Sequence, residues 1–91
     1  MGLALETYEN WVSIFSDRNC LKILLYLKDY NPNVRLVEME KKLNMKRGTL
    51  DKKITALIEA GLVKIAAETP TGFSLTDYGR VGTNRLLALA K

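Results

Sequence analysis

Apolar residues fall at helical spacing over the first two thirds of the chain. They alternate just past residue 63 and return to helical spacing after Thr76. Leu5, Tyr8, Val12 and Phe15 share one face of a helix over Leu3–Phe15, flanked by Trp11 and Ile14. Ser16-Asp17 ends that helix and supplies caps for a second one, Arg18–Tyr30. Its core stripe is Cys20, Ile23, Leu24 and Leu27, while Leu21, Leu25 and Tyr26 widen the apolar surface, so it is expected to be covered on more than one side. Asn31-Pro32-Asn33 stops it, because proline disfavours helix at the residue before it and donates no backbone bond.

Val34–Leu36 suits a brief strand pairing. Val37–Leu43 predicts a short third helix with Met39 and Leu43 inward, and Asn44-Met45-Lys46 a turn. Arg47–Ala60 predicts a fourth helix anchored by Leu50, Ile54 and Leu57, with Gly61 as a left-handed cap and Leu62 folding back on the last turn. Val63, Ile65 and Ala67 then alternate with Lys64, Ala66 and Glu68, the pattern of a half-buried strand. Thr69-Pro70-Thr71-Gly72 reads as a turn, and Phe73 and Leu75 as one face of a second strand. Thr76 caps a last helix that places Tyr78, Val81, Leu86 and Leu89 on one side. The expected architecture is mainly α with a small β-hairpin. It is one domain: an N-terminal helix over 1–17, a core over 18–76 and a C-terminal helix over 77–91.

Charge changes this picture at one place. The 13 residues from Lys41 to Lys53 carry six basic side chains and one acid, in a chain of net charge +4. With Leu50 inward, Gly48, Lys52, Thr55 and Glu59 point away from the core, and Lys53 lies near the core-facing edge. Arg47, Gly48, Asp51, Lys52 and Thr55 are the candidates for base edges in a duplex major groove, with Thr49 beside them. Lys41, Lys42, Lys46 and Lys53 are the candidates for phosphates. Three consecutive choices work against helix stability. Lys46 stands at the N-cap where Ser or Thr would bind a free amide, Lys46 and Arg47 put positive charge at the positive end of the helix dipole, and Gly48 weakens the first turn. Local rules broken together mark a functional site, and bound phosphate would reverse the charge penalty. The same residues also fit an ordinary solvated charged end.

Other chemistry is thinly represented. With no His and a single Cys, a zinc site of the usual ligands is not expected, nor any intrachain disulfide or cofactor. Cys20 is read as a small buried hydrophobe rather than a redox thiol. An enzyme is not expected, since no His can act as a base and Cys20 has no basic partner nearby in sequence. Neither a signal peptide nor an apolar run of the ~20 residues a membrane span needs is visible, so a cytoplasmic protein with no membrane partner is expected.

The stretch Met39–Val63 resembles the helix-turn-helix of winged-helix regulators, in particular MarR-like and related archaeal families. Leu57-Ile-Glu-Ala-Gly-Leu-Val63 is similar to the end of their recognition helix and the entry to the wing, and Leu75-Thr-Asp-Tyr-Gly-Arg80 to the phrase that leaves it. The resemblance implies that Arg47, Gly48, Asp51 and Lys52 face DNA and that Thr69–Gly72 is a wing tip reaching toward the minor groove. The sequence departs from the pattern in two places: the tip carries no Arg or Lys between Glu68 and Phe73, and Glu40 stands where a small Ala is usual. Arg80 is read either as a phosphate ligand or as a partner of Glu68 or Asp77.

Leu5, Tyr8, Trp11, Val12, Phe15, Leu86 and Leu89 supply more apolar surface than one small core hides, and a two-fold homodimer through the terminal helices is expected. The expected function is a homodimeric, sequence-specific double-stranded DNA-binding transcriptional regulator with the helix over 47–60 in the major groove. Two alternatives stand beside it: a protein-interaction winged helix in a larger assembly, and a nonspecific DNA-coating protein. Any small-molecule effector is left unspecified.

Overall fold

The computed structural model describes residues 12–29, 33–68 and 71–89. The elements run α1 (Arg18–Asp29), α2 (Leu36–Leu43), α3 (Arg47–Glu59), β1 (Val63–Glu68), β2 (Thr71–Leu75) and α4 (Asp77–Leu89). Val12–Phe15 is helical and leads into α1. The rest of the helix expected over Leu3–Phe15 lies outside the described residues.

The hub is α1. Its stripe of Ile23, Leu24 and Leu27 is wholly buried, Cys20 nearly so, and the helix packs against α2, α3, α4 and β2. Burial pushes the Cys20 thiol above its ordinary pKa and the nearby Asp17 carboxylate adds to the shift, which keeps it an inert packing group. Asp17 starts α1 as expected, its Oδ1 accepting the Asn19 and Cys20 amides at 2.8 and 3.1 Å. Tyr26 donates its hydroxyl to Glu38 at 2.5 Å, tying α1 to α2. Of the terminal residues, Ile14 enters the core and Phe15 packs against it, while Val12 stays 48% exposed.

β1 and β2 form an antiparallel hairpin in the register Val63↔Leu75, Lys64↔Ser74 and Ile65↔Phe73. The register then shifts, so that Ala67 faces Gly72. This bulge at Ala66 breaks the simple alternation, and Ile65, just before it, is 49% exposed although it alternates with the buried Val63. On its other edge β2 meets Val34, each backbone N–H bonding the other's carbonyl with Phe73 at 2.8–2.9 Å. The short pairing expected at Val34 therefore exists, and it makes β2 the middle strand, buried from Gly72 to Leu75. Gly72 is a strand residue and not part of the turn.

The hairpin is clamped to the end of α3. Gly61 takes φ +78° there, as its left-handed cap role requires, and Leu62 donates back to the Leu57 carbonyl at 3.0 Å. Thr76 then closes the loop from the far side. Its backbone N–H bonds Leu62 O at 3.0 Å, its hydroxyl donates to Gly61 O at 2.6 Å, and the same oxygen accepts the Gly79 amide at 2.9 Å as the cap of α4. One threonine thus joins the end of α3 to the start of α4. The phrase Leu-Thr-x-x-Gly leaving the hairpin has its physical reason here, because a Cβ on Gly79 would collide with the Leu62 carbonyl.

The face that α4 turns inward is the small one. Gly79, Gly82 and Thr83 are buried, whereas Tyr78 and Val81 are 54% and 52% exposed. The apolar side expected from Tyr78 and Val81 is an outer surface. Close approach of helix backbone to the hairpin selects residues without bulk, which hydrophobic spacing does not reveal. Gly79→Ala is expected to lower stability by about 1–3 kcal/mol, the usual cost of forcing bulk into a packed contact, read as a drop in melting temperature. An unchanged melting temperature would contradict the close approach.

Candidate nucleic-acid interface

The turn between α2 and α3 is built by three residues with distinct jobs. Asn44 adopts the left-handed conformation at φ 52°, which ends α2 in one residue. Met45 is buried, pinning the turn to the core, and its N–H bonds Glu40 O at 3.1 Å. Lys46 is extended and forms the N-cap of α3 without any side-chain hydrogen bond. The first amides of α3 are therefore left without a capping side chain at the positive end of the helix dipole.

Leu50, Ile54 and Leu57 are buried and set the phase of α3. Gly48, Asp51, Lys52 and Thr55 consequently face solvent, and Lys41, Lys42, Lys46 and Arg47 are exposed as well. Thr49 is half-buried. Among the described residues, Lys41, Lys42, Lys46 and Lys52 form no ion pair. Gly48 has nothing within 4 Å of a notional Cβ, so no steric demand requires glycine there. Its place in a helix leading edge is compatible with close approach by another molecule.

Two of the basic residues are engaged within the chain. Lys53 reaches sideways to Asp17, Nζ to Oδ2 at 2.5 Å, with both side chains about a third exposed or less. The carboxylate that caps α1 thus also fixes the middle of α3. Hydrogen bonding to Lys53 holds the Asp17 carboxyl below its ordinary pKa, and the same bond raises the Lys53 ammonium. Arg47 donates its Nε–H to Glu40 Oε1 on α2. Sequence reasoning saw Asp17 as a cap and Glu40 as an anomaly but paired neither. The partners of Lys53 and Arg47 lie 36 and 7 residues away, just before α1 and on α2.

Arg80 is exposed and forms no ion pair with Asp77. Of the wing tip, Thr69 and Pro70 lie outside the described residues, and Thr71 is exposed. Of the residues expected at a dimer interface, Leu5, Tyr8 and Trp11 lie outside them, as does the side chain of Leu89. Val12 is exposed, and Phe15 and Leu86 are half-buried. The described residues contain no cluster of metal-binding side chains, and no helix among them is long and apolar enough to cross a membrane.

No protein-family model and no curated protein matches this chain. Solved structures do. HlyU from Vibrio cholerae N16961 matches with a TM-score of 0.77 at 21% identity, over 98% of this chain and 97% of that one. A transcriptional regulator homologue protein from Pyrococcus horikoshii OT3 matches with a TM-score of 0.73 at 26% identity, over 92% and 89%. The chain is a winged helix-turn-helix. In its terms α2 and α3 are the helix-turn-helix, β1 and β2 the wing, and α4 the extra C-terminal helix. The likeness carries this fold and not the MarR-like branch of it.

Two expected outcomes follow from the winged helix's local geometry. Gly48→Ala should stabilise the fold by about 0.5 kcal/mol, the lower end of the glycine penalty because the site is in the first turn. A fall in melting temperature would mean that something occupies that space. Asp17→Asn should lower the melting temperature at neutral pH. A depressed Asp17 pKa contributes stability above the unfolded value of about 3.9 and loses it as pH falls through the folded value. The difference between wild type and variant should therefore persist from pH 5 to 9 and close only in the acid range below about 3.9. A gap already closed at pH 6 would contradict the Asp17–Lys53 pairing.

Proposed function

We propose that the winged helix is a sequence-specific double-stranded DNA-binding transcriptional regulator that acts as a homodimer, with α3 in the major groove. The observation that carries this reading is the exposed leading edge of α3 and its approach. Lys41, Lys42, Lys46 and Lys52 are unpaired among the described residues, the first-turn amides are uncapped, and Gly48 leaves room for a sugar-phosphate backbone. The uncapped first turn, the positive charge of Lys46 and Arg47 there and the glycine each weaken α3 in the free protein, and bound phosphate would reverse the charge penalty. The Pyrococcus horikoshii structure, a transcriptional regulator homologue, supports the same reading.

Phosphate neutralisation by the lysines would supply affinity and register, while Gly48, Asp51, Lys52 and Thr55 would meet base edges. Asp51 fits a cytosine amino group, which carboxylates accept from. Lys53 is reassigned from phosphate contact to fixing α3 through Asp17. For the homodimer, Tyr78 and Val81 on α4 and Val12 on the N-terminal helix give exposed apolar surface, half exposed in each case. Two copies related by a two-fold axis would place the two α3 helices in successive major grooves, about 10 bp apart.

The test is in vitro selection from a random duplex pool at two salt concentrations. The expected outcome is a near-palindromic motif. Log affinity should fall with log salt at about −0.9 per phosphate neutralised, and Lys52→Ala should weaken binding. No duplex affinity at low salt, together with a stable heteromeric partner, would replace this reading by a protein-interaction module. Equal affinity for selected and scrambled duplex would replace it by a nonspecific coating protein.

A further inference from the structure

We propose that Glu40 is a positioning residue that sets the base specificity of α3 by holding the guanidinium of Arg47. This rests on the duplex-reading assignment of α3 and names a device within it. Glu40 sits at the pivot of the helix-turn-helix. Its backbone carbonyl accepts the Met45 amide across the turn, and its neighbour Met39 is fully buried. The base of the side chain is therefore fixed, and its Oε1 accepts the Arg47 Nε–H.

An arginine has a long flexible stem and two edges through which to bond. With Nε occupied, the pair of terminal Nη groups remains available as a planar fork. That fork matches O6 and N7 of guanine, the base edge arginine reads most often. The pair is too exposed to be chiefly a folding device, with the Arg47 side chain half open to water. A carboxylate at the edge of a phosphate-binding surface also repels the duplex wherever no base rewards the fork. Glu40 thus lowers affinity for wrong sequences as it steers Arg47 toward the right one. The same arrangement explains why an acid occupies a position where a small residue would pack more simply. Lys46 has no such holder among the described residues and remains a sequence-neutral cation.

The experiment compares wild type, Glu40→Gln, Glu40→Ala and Arg47→Ala by selection from a random duplex pool, followed by binding to the selected duplex and a scrambled one. Glu40→Gln keeps the acceptor oxygen and removes the charge; Glu40→Ala removes both. The expected wild-type motif contains a guanine that Arg47→Ala relaxes. Glu40→Ala should relax the same position, with a loss of about tenfold in discrimination there, within the range one bidentate contact supplies. Glu40→Gln should keep that preference. Both Glu40 variants should bind scrambled duplex more tightly than wild type. A motif in which no position depends on Arg47, or in which Glu40→Ala leaves the Arg47-dependent guanine intact, would overturn the proposal alone. A wild-type pool without any motif would overturn the regulator reading and this proposal with it.

Discussion

Everything that α3 presents to solvent is decided by what it buries. Leu50, Ile54 and Leu57 lock one side of the helix against the α1 hub, so the opposite side, from Gly48 through Lys52 to Thr55, has no freedom to turn inward. Three polar ties then remove the remaining play. Glu40 holds Arg47 at the leading end, Asp17 holds Lys53 part-way along, and Thr76 bonds the Gly61 carbonyl just past the far end. Each tie comes from a different element, namely α2, the start of α1 and the hairpin exit. The helix is thereby positioned against the whole domain, which is what presenting a few side chains to base edges within tenths of an ångström requires.

The two ion pairs have different consequences despite their similar chemistry. Asp17 serves three donors at once, accepting the Asn19 and Cys20 amides at the start of α1 through one oxygen and engaging Lys53 through the other. Loss of its charge would loosen a helix start and a helix position together. The Glu40–Arg47 pair lies further out in solvent and in the surface proposed for the duplex, where its cost in free energy of folding is small and its effect on an approaching polyanion is not. The wing shows the complementary economy. β2 is sandwiched between β1 and Val34, and Gly79 lets α4 approach the Leu62 carbonyl, so the hairpin base is rigid even though its tip brings no Lys or Arg.

Much of this was legible in the order of residues. The spacing of Leu50, Ile54 and Leu57 gave the phase of α3, Gly61 its end, and Thr76 the start of α4, because each rests on a local rule that a few neighbouring residues settle. Positions settled by distant partners were not legible. Lys53 reads as one more cation until Asp17 is brought beside it, and the alternation of Val63 and Ile65 does not reveal that only Val63 is buried. Val12 and Ile14 compete for one inward position on a short apolar helix, and spacing alone cannot choose between them. On α4 the sequence pattern marked the large residues Tyr78 and Val81 as part of one apolar side and gave no sign of the small face. Packing at close range chose Gly79, Gly82 and Thr83, leaving the larger ones outward.

The central claim is that the leading edge of α3 meets duplex DNA. The most direct measurement is the change in backbone amide chemical shifts of the isotope-labelled protein as a mixed-sequence duplex is added at low salt. The account predicts that the largest changes run from Asn44 to Thr55, with Lys41 and Lys42 beside them and α4 little affected. Changes confined to Val12, Tyr78 and Val81, with α3 unmoved, would contradict it.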